Sequence, residues 1–158
     1  MATFHDRPVS AAVQRVIRVS PTTAAKVPAV RELLAQAEML LVRPNQEQTA
    51  MAAYQEAQKL SDAEADLLGE GNALRGQALV EGLLGKYERA RDLNARALAR
   101  FQEGTHELQK AFAFMGLGSC ESLLGKPVIA KQHYQNAVDI FEKHGLTGEA
   151  DIARLNLA

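Results

Sequence analysis

The 158-residue chain has no tryptophan, one cysteine and 5% aromatic residues. Without a second cysteine it cannot close an internal disulfide, and a cysteine-rich zinc site is excluded. A single thiol fits a reducing compartment, so a cytoplasmic location is expected. No stretch approaches the roughly 18 apolar residues that span a bilayer. Near the start, Ala11-Ala12-Val13 is interrupted at once by Gln14 and Arg15, which is not a signal core. An excess of one charge sign is also lacking, the net charge being −1. Nucleic-acid binders normally carry a strong positive field, so nucleic acid is not an expected partner despite Arg15, Arg18, Lys26 and Arg31 early in the chain. What the chain does have is Ala and Leu in abundance, with 47% hydrophobic and 23% charged residues. Those side chains lose little freedom in a helix, so an all-α domain is expected.

The sequence repeats itself at an offset of 40 residues. Glu81-Gly82-Leu83-Leu84-Gly85-Lys86 returns as Glu121-Ser122-Leu123-Leu124-Gly125-Lys126. Ala73, Gly76, Ala90, Ala97 and Phe101 return as Ala113, Gly116, Ala130, Ala137 and Phe141, and a fainter copy holds Ala50, Tyr54 and Ala57. Self-similarity at such a period marks a stack of repeats, which works by offering a surface.

Val9, Ala12, Val13, Val16 and Ile17 fall on one helical face, predicting an amphipathic helix over about 9–19 within an N-terminal segment 1–28. Residues 29–158 form the repeat region. Helices are expected at about 30–42, 46–60, 61–84, 87–102, 106–124, from Pro127 to about His144, and from Thr147 or Gly148 to the end of the chain. Ser61-Asp62-Ala63-Glu64 has the form of a capping box opening the third of these, whose first turns Gly69 and Gly71 weaken. Gly85 and Gly125 read as helix stops, Gly104-Thr105 as a stop followed by an N-cap, and Pro127 as a first-turn residue. The repeats then run at about 29–62, 63–103 and 104–144, with a final half repeat at 147–158.

Ala78, Gly85-Lys86-Tyr87-Glu88-Arg89-Ala90 and Ala97, with Gly118, Gly125, Ala130, Tyr134 and Ala137 one period later, resemble the tetratricopeptide repeat. The first copy departs at Asn45, where the turn glycine should stand, and at Glu38, where a small residue should. Asn94 replaces the aromatic in the middle copy. The resemblance implies a right-handed superhelical stack of antiparallel helix pairs, a TPR-like solenoid of about three repeats plus a half. The common repeat is 34 residues long; the surplus here is expected between helix B and the next helix A. This long form is similar to repeats of bacterial transcription activators, signalling ATPases and sensors. In such a stack Ala78 and Gly118 sit where helices cross, and Leu83, Leu84, Leu123 and Leu124 would supply the buried layer.

Motifs for chemistry are weak. A phosphate loop needs Gly at Cys120 and a hydroxyl at Pro127, and a dinucleotide loop needs Gly at Glu121. Helix packing and helix stops account for these glycines. His5, His106, His133 and His144 form no metal-binding spacing, Cys120 reads as a small core residue, and Glu64, Asp66 and Glu70 as carboxylates of an early helix turn. No catalytic residue, metal or cofactor is expected.

The resemblance places helices A on the concave face. Groove-lining candidates are then Asn72, Arg75, Leu79, Phe112, Met115, Ser119 and Ser122, with Ala35 and Met39 from the first copy. Phe112 and Met115 are candidate anchors for a peptide or helix, and Arg75 for a carboxylate. The bland alternative is that Phe112 and Met115 pack within the chain, against the 9–19 helix. The Lys and Asn with which some tetratricopeptide proteins clamp chaperone tails are replaced by Ala35/Met39, Arg75/Leu79 and Met115/Ser119, so chaperone-tail binding is not expected. The expected function is a non-enzymatic scaffold or adaptor; the alternative is a sensor domain of a longer bacterial protein that binds a small ligand or signalling peptide. Ile152, Leu155 and Leu157 would ordinarily be followed by a helix B. Either they cap the stack or, as is expected, the chain is a piece of a longer protein. A homodimer through the terminal helices is plausible, and no membrane partner is expected.

Overall fold

The computed structural model describes residues 21–157. The amphipathic helix expected at 9–19 lies outside them, as do His5, Arg15, Arg18 and Ala158. Among the described residues there are seven helices and no strand: α1 (Pro28–Leu41), α2 (Glu47–Ala63), α3 (Leu67–Leu83), α4 (Tyr87–Glu103), α5 (Glu107–Leu123), α6 (Pro127–Lys143) and α7 (Thr147–Leu155).

The chain is metered by its turns. Asn45, Ala65, Gly85, Thr105, Gly125 and Gly145, spaced 20 residues apart, all take a left-handed backbone with φ between 55° and 77°. After each of the last five, the next amide reaches back to the final helical turn, as in Lys86 N–H to Glu81 O at 2.9 Å and Leu146 N–H to Phe141 O at 2.8 Å. These bonds satisfy carbonyls that the helix end leaves open. Glycine meets the left-handed requirement freely at three of the turns. Ala65 and Thr105 meet it at a cost of about 1–2 kcal/mol each.

This metering corrects several expectations. The surplus over a 34-residue repeat is not in the junction after helix B, because α2 to α6 are all 17 residues long and both halves of the period are equal. Ser61 opens no helix. It lies inside α2, fully buried, and its hydroxyl donates to Ala57 O at 2.7 Å. The cap of α3 is Asp66, whose Oδ1 accepts from Gly69 N–H at 2.9 Å. Thr105 is the left-handed residue of its turn, and His106 takes the cap position. The last helix stops at Leu155 with Asn156 as its cap.

Each helix packs on the next, and the odd-numbered helices also touch their own kind, α1 on α3 and α3 on α5. Odd helices therefore form the inner side of the stack. Ala50, Ala57, Ala90, Ala97, Ala130 and Ala137 are all buried on the even helices. Aromatic rings of those helices settle onto glycines. A Cβ added at Gly76 would lie 2.1 Å from the Tyr54 ring, at Gly71 2.3 Å from Phe101, and at Gly118 2.8 Å from Tyr134. The backbone can come this close to a ring only where no side chain intervenes. Tyr54, Phe101 and Phe141 make the buried layer expected of the leucines. Leu83, Leu84 and Leu123 are instead 40%, 39% and 60% exposed, and Leu124 is half-buried. They occupy the last residues and caps of α3 and α5, past the point where paired helices cover one another.

Candidate interaction groove

The 40-residue offset sets Ala35, Arg75 and Met115, and likewise Met39, Leu79 and Ser119, at matching positions of α1, α3 and α5. On α5, Phe112 and Met115 are half-buried while Ser119 and Ser122 are exposed; Leu79 on α3 is half-buried and Met39 on α1 is 60% exposed. The Phe112 ring lies tilted against Phe141 at 5.4 Å between centroids, so part of it belongs to the core under α5 and α6. Met115 borders the same cluster. The alternative of packing against the 9–19 helix lies outside the described residues.

Asn72 and Arg75 depart from the expected open groove. Both are buried, Asn72 completely and Arg75 to 4% exposure. What lies on them is the chain's own segment leading into α1. Asn72 Nδ2 donates to Ala24 O at 2.8 Å, and Arg75 Nη1 donates to Pro21 O at 3.3 Å and to Asn72 Oδ1 at 3.1 Å. Glu38 Oε2 accepts from both the amide and the hydroxyl of Thr22, at 2.9 Å each, and Tyr54 Oη lies 3.1 Å from that hydroxyl. Asp66 Oδ2 accepts from the amides of Lys26 and Val27 at 2.8 and 2.9 Å. Arg31 donates to the carbonyls of Ala25 and Lys26. As the segment ascends from Pro21 through Ala24 to Val27, its partners descend from Arg75 through Asn72 to Asp66, the cap of α3. It is therefore antiparallel to that helix, a strap laid between α1 and α3.

Burial shapes the electrostatics beneath the strap. It pulls the Arg75 guanidinium down to about 10, against the opposing pull of Tyr54 and Glu38, so the side chain remains a cation at neutral pH. The guanidinium carbon stands 5.2 Å above the Phe112 ring, a cation–π contact that links α3 to α5. Burial likewise pushes the Tyr54 phenol up to about 12, leaving a neutral hydroxyl for Thr22. Elsewhere, burial raises the Cys120 thiol, which keeps it out of its nucleophilic form. No group of three His, Cys, Asp or Glu side chains among the described residues is placed to hold a metal ion. No described helix is long and apolar enough to cross a membrane. What the groove can do chemically is hold an extended backbone by hydrogen bonds.

Sequence reasoning missed the anchors Glu38, Asp66 and Tyr54. The signal was available in the repeat itself, since Glu38 stands where later copies have Ala78 and Gly118, and Asp66 where they have His106 and Leu146. Departures from the pattern mark the strap's anchors.

The family model described as tetratricopeptide repeat matches residues 69–143, which run from the first turn of α3 to the end of α6. The fold is a TPR-like helical solenoid. Such repeats generally mediate protein–protein interaction and are typically non-enzymatic, which supports a scaffold or adaptor role. No curated protein matches the chain.

Proposed function

We propose that this TPR-like solenoid is a non-enzymatic interaction module that takes a peptide or helix on its inner face. The observation that carries the reading is the band of partly open apolar side chains on the inner helices, Met39, Leu79, Phe112 and Met115, edged by the exposed residues Ser119, whose hydroxyl pairs with Tyr134 Oη, and Ser122. Aromatic and methionine side chains with a polar rim suit a protein partner. Arg75, being covered, supports Phe112 from behind instead of pairing with an incoming carboxylate.

A regulatory sensor of small ligands, as in bacterial regulators with long repeats, is the second reading. The depression lined by Thr23, Ala35, Glu38, Met39 and Val42 is open to solvent. A small molecule normally has most of its surface enclosed by its site, so the peptide reading is preferred.

The test uses peptides selected for binding from a display library, measured against folded variants. Met115→Asp is expected to weaken capture at least tenfold, and Phe112→Ala plus Met115→Asp to abolish it, with circular dichroism unchanged. Undiminished capture by the double variant would remove these residues from the site.

A further inference from the structure

Between α1 and α3 the groove already holds a peptide, the chain's own. Thr22 and Ala25 are its two buried side chains, at 1% and 7% exposure, while Pro21, Ala24 and Lys26 are exposed. A spacing of three matches an extended chain that turns one face inward every third residue. The rest of the grip is on backbone: amides of the strap go to Glu38 and Asp66, and carbonyls accept from Asn72 and Arg75. Backbone groups are common to every extended peptide, so this grip does not depend on covalent continuity with α1. The gripping residues are also particular to this place in the stack. Glu38 replaces the small Ala78 and Gly118 of later copies, Asn72 corresponds to Phe112 and Ile152, and Arg75 to Ala35 and Met115. An ordinary helix-to-helix contact of the repeat would not need them.

We propose that Pro21–Ala25 is a resident peptide of the groove, and that an extended partner segment carrying Thr, two residues of any kind and then Ala takes its place. The inference rests on the groove reading above and adds the sequence class of the partner and its regulation. A tethered occupant acts at a high effective concentration, so the α1–α3 part of the groove opens only to a partner that outcompetes the strap, while the α5 part stays available.

The experiment uses the whole chain and a fluorescent peptide of the sequence Ser20 to Pro28, followed by anisotropy. Thr22→Pro removes the amide and hydroxyl held by Glu38 and leaves the groove walls untouched. It is expected to bind the peptide at least tenfold more tightly than the unaltered chain does. Adding Asn72→Ala to Thr22→Pro should return affinity to the starting level. Thr22→Val, which keeps shape and amide and loses the hydroxyl, should gain about threefold, and it decides the matter if the proline variant does not fold. Folded variants that bind no better than the unaltered chain would overturn the proposal, as would tight binding that Asn72→Ala leaves intact. Neither outcome touches the Met115→Asp result, which reads a different helix with a different probe.

Discussion

The two ends of the inner face are built from the same repeat and do opposite things with it. At the α1–α3 end, charged and amide side chains are buried because a strap brings them hydrogen-bond partners. At the α5 end, the matching positions hold Phe112 and Met115, half-open and satisfied by van der Waals contact. Buried polar groups are costly unless paired, so the first end depends on being filled. The second loses nothing by being left open. One scaffold thus carries a face specified by the segment that covers it and, on the reading proposed above, a face left for a partner.

The widest expected gap between the two ends is in packing. Gly76 and Gly116 are equivalent, but an added Cβ meets the buried Tyr54 ring at 2.1 Å in one and the Asn94 side-chain amide at 2.7 Å in the other. A ring fixed on both faces cannot retreat, whereas an amide can change rotamer. Gly76→Ala is expected to cost about 3 kcal/mol and Gly116→Ala about 1 kcal/mol or less, by overpacking. Urea midpoints at constant slope would measure both. Equal costs would show that Tyr54 is not held more firmly than Asn94.

Much of the architecture was legible because close packing repeats. Ala90, Ala97, Ala130 and Ala137 recur where helices touch, and Gly85 and Gly125 recur where the backbone turns left-handed. Ala65 hid one of the alternate turns and Thr105 the exact left-handed residue of another, since neither residue favours that backbone. Projecting Gly145 back by 40 and 80 residues lands on both of them. The capping-box pattern at Ser61 competed with that period and was the weaker signal, because the hydroxyl is taken by Ala57 O within the helix. The leucine pairs misled for another reason: recurrence shows that a position is equivalent, not that it is covered. The strap was not legible as an occupant, because Pro21 to Val27 lies outside the repeat. Only the departures at Glu38 and Asp66 pointed to it.

The next contrast is at the caps that open the inner helices. Asp66 is 1% exposed and accepts three amides, Gly69 from α3 and Lys26 and Val27 from the strap. His106 and Leu146, its equivalents, make no side-chain cap bond. Asp66→Ala should therefore cost about 2 kcal/mol, a lost cap with stranded strap amides, while His106→Ala should cost a few tenths. Hydrogen exchange at the Lys26 and Val27 amides would locate the loss. Unchanged protection there would mean the strap is held without Asp66.

The smallest effect comes from two histidines, one at each end. His106 lies within electrostatic reach of Lys26 and Asp66, and His133 stacks on Phe114 at 6.0 Å with Glu121 nearby. Burial lowers both imidazoles below the ordinary 6.5, and it outweighs the carboxylates that pull them up. With the folded values depressed, the unfolded chain binds protons first as pH falls. Stability is therefore undiminished above about 6.5 and declines below it, until the folded histidines also protonate. Glu70 works in the reverse direction: burial raises its carboxyl above 4.5, so as pH falls the folded chain takes up this proton first and gains stability until about 4.5, partly offsetting the histidines. Both imidazoles are partly solvated, so the melting temperature should fall by only about 2 °C from about pH 7.5 to 5.5. His106→Asn with His133→Asn should flatten the decline. A single His106→Asn that flattens it alone would place the pH sensitivity at the strap's end of the groove, where Lys26 and the protonated ring repel each other.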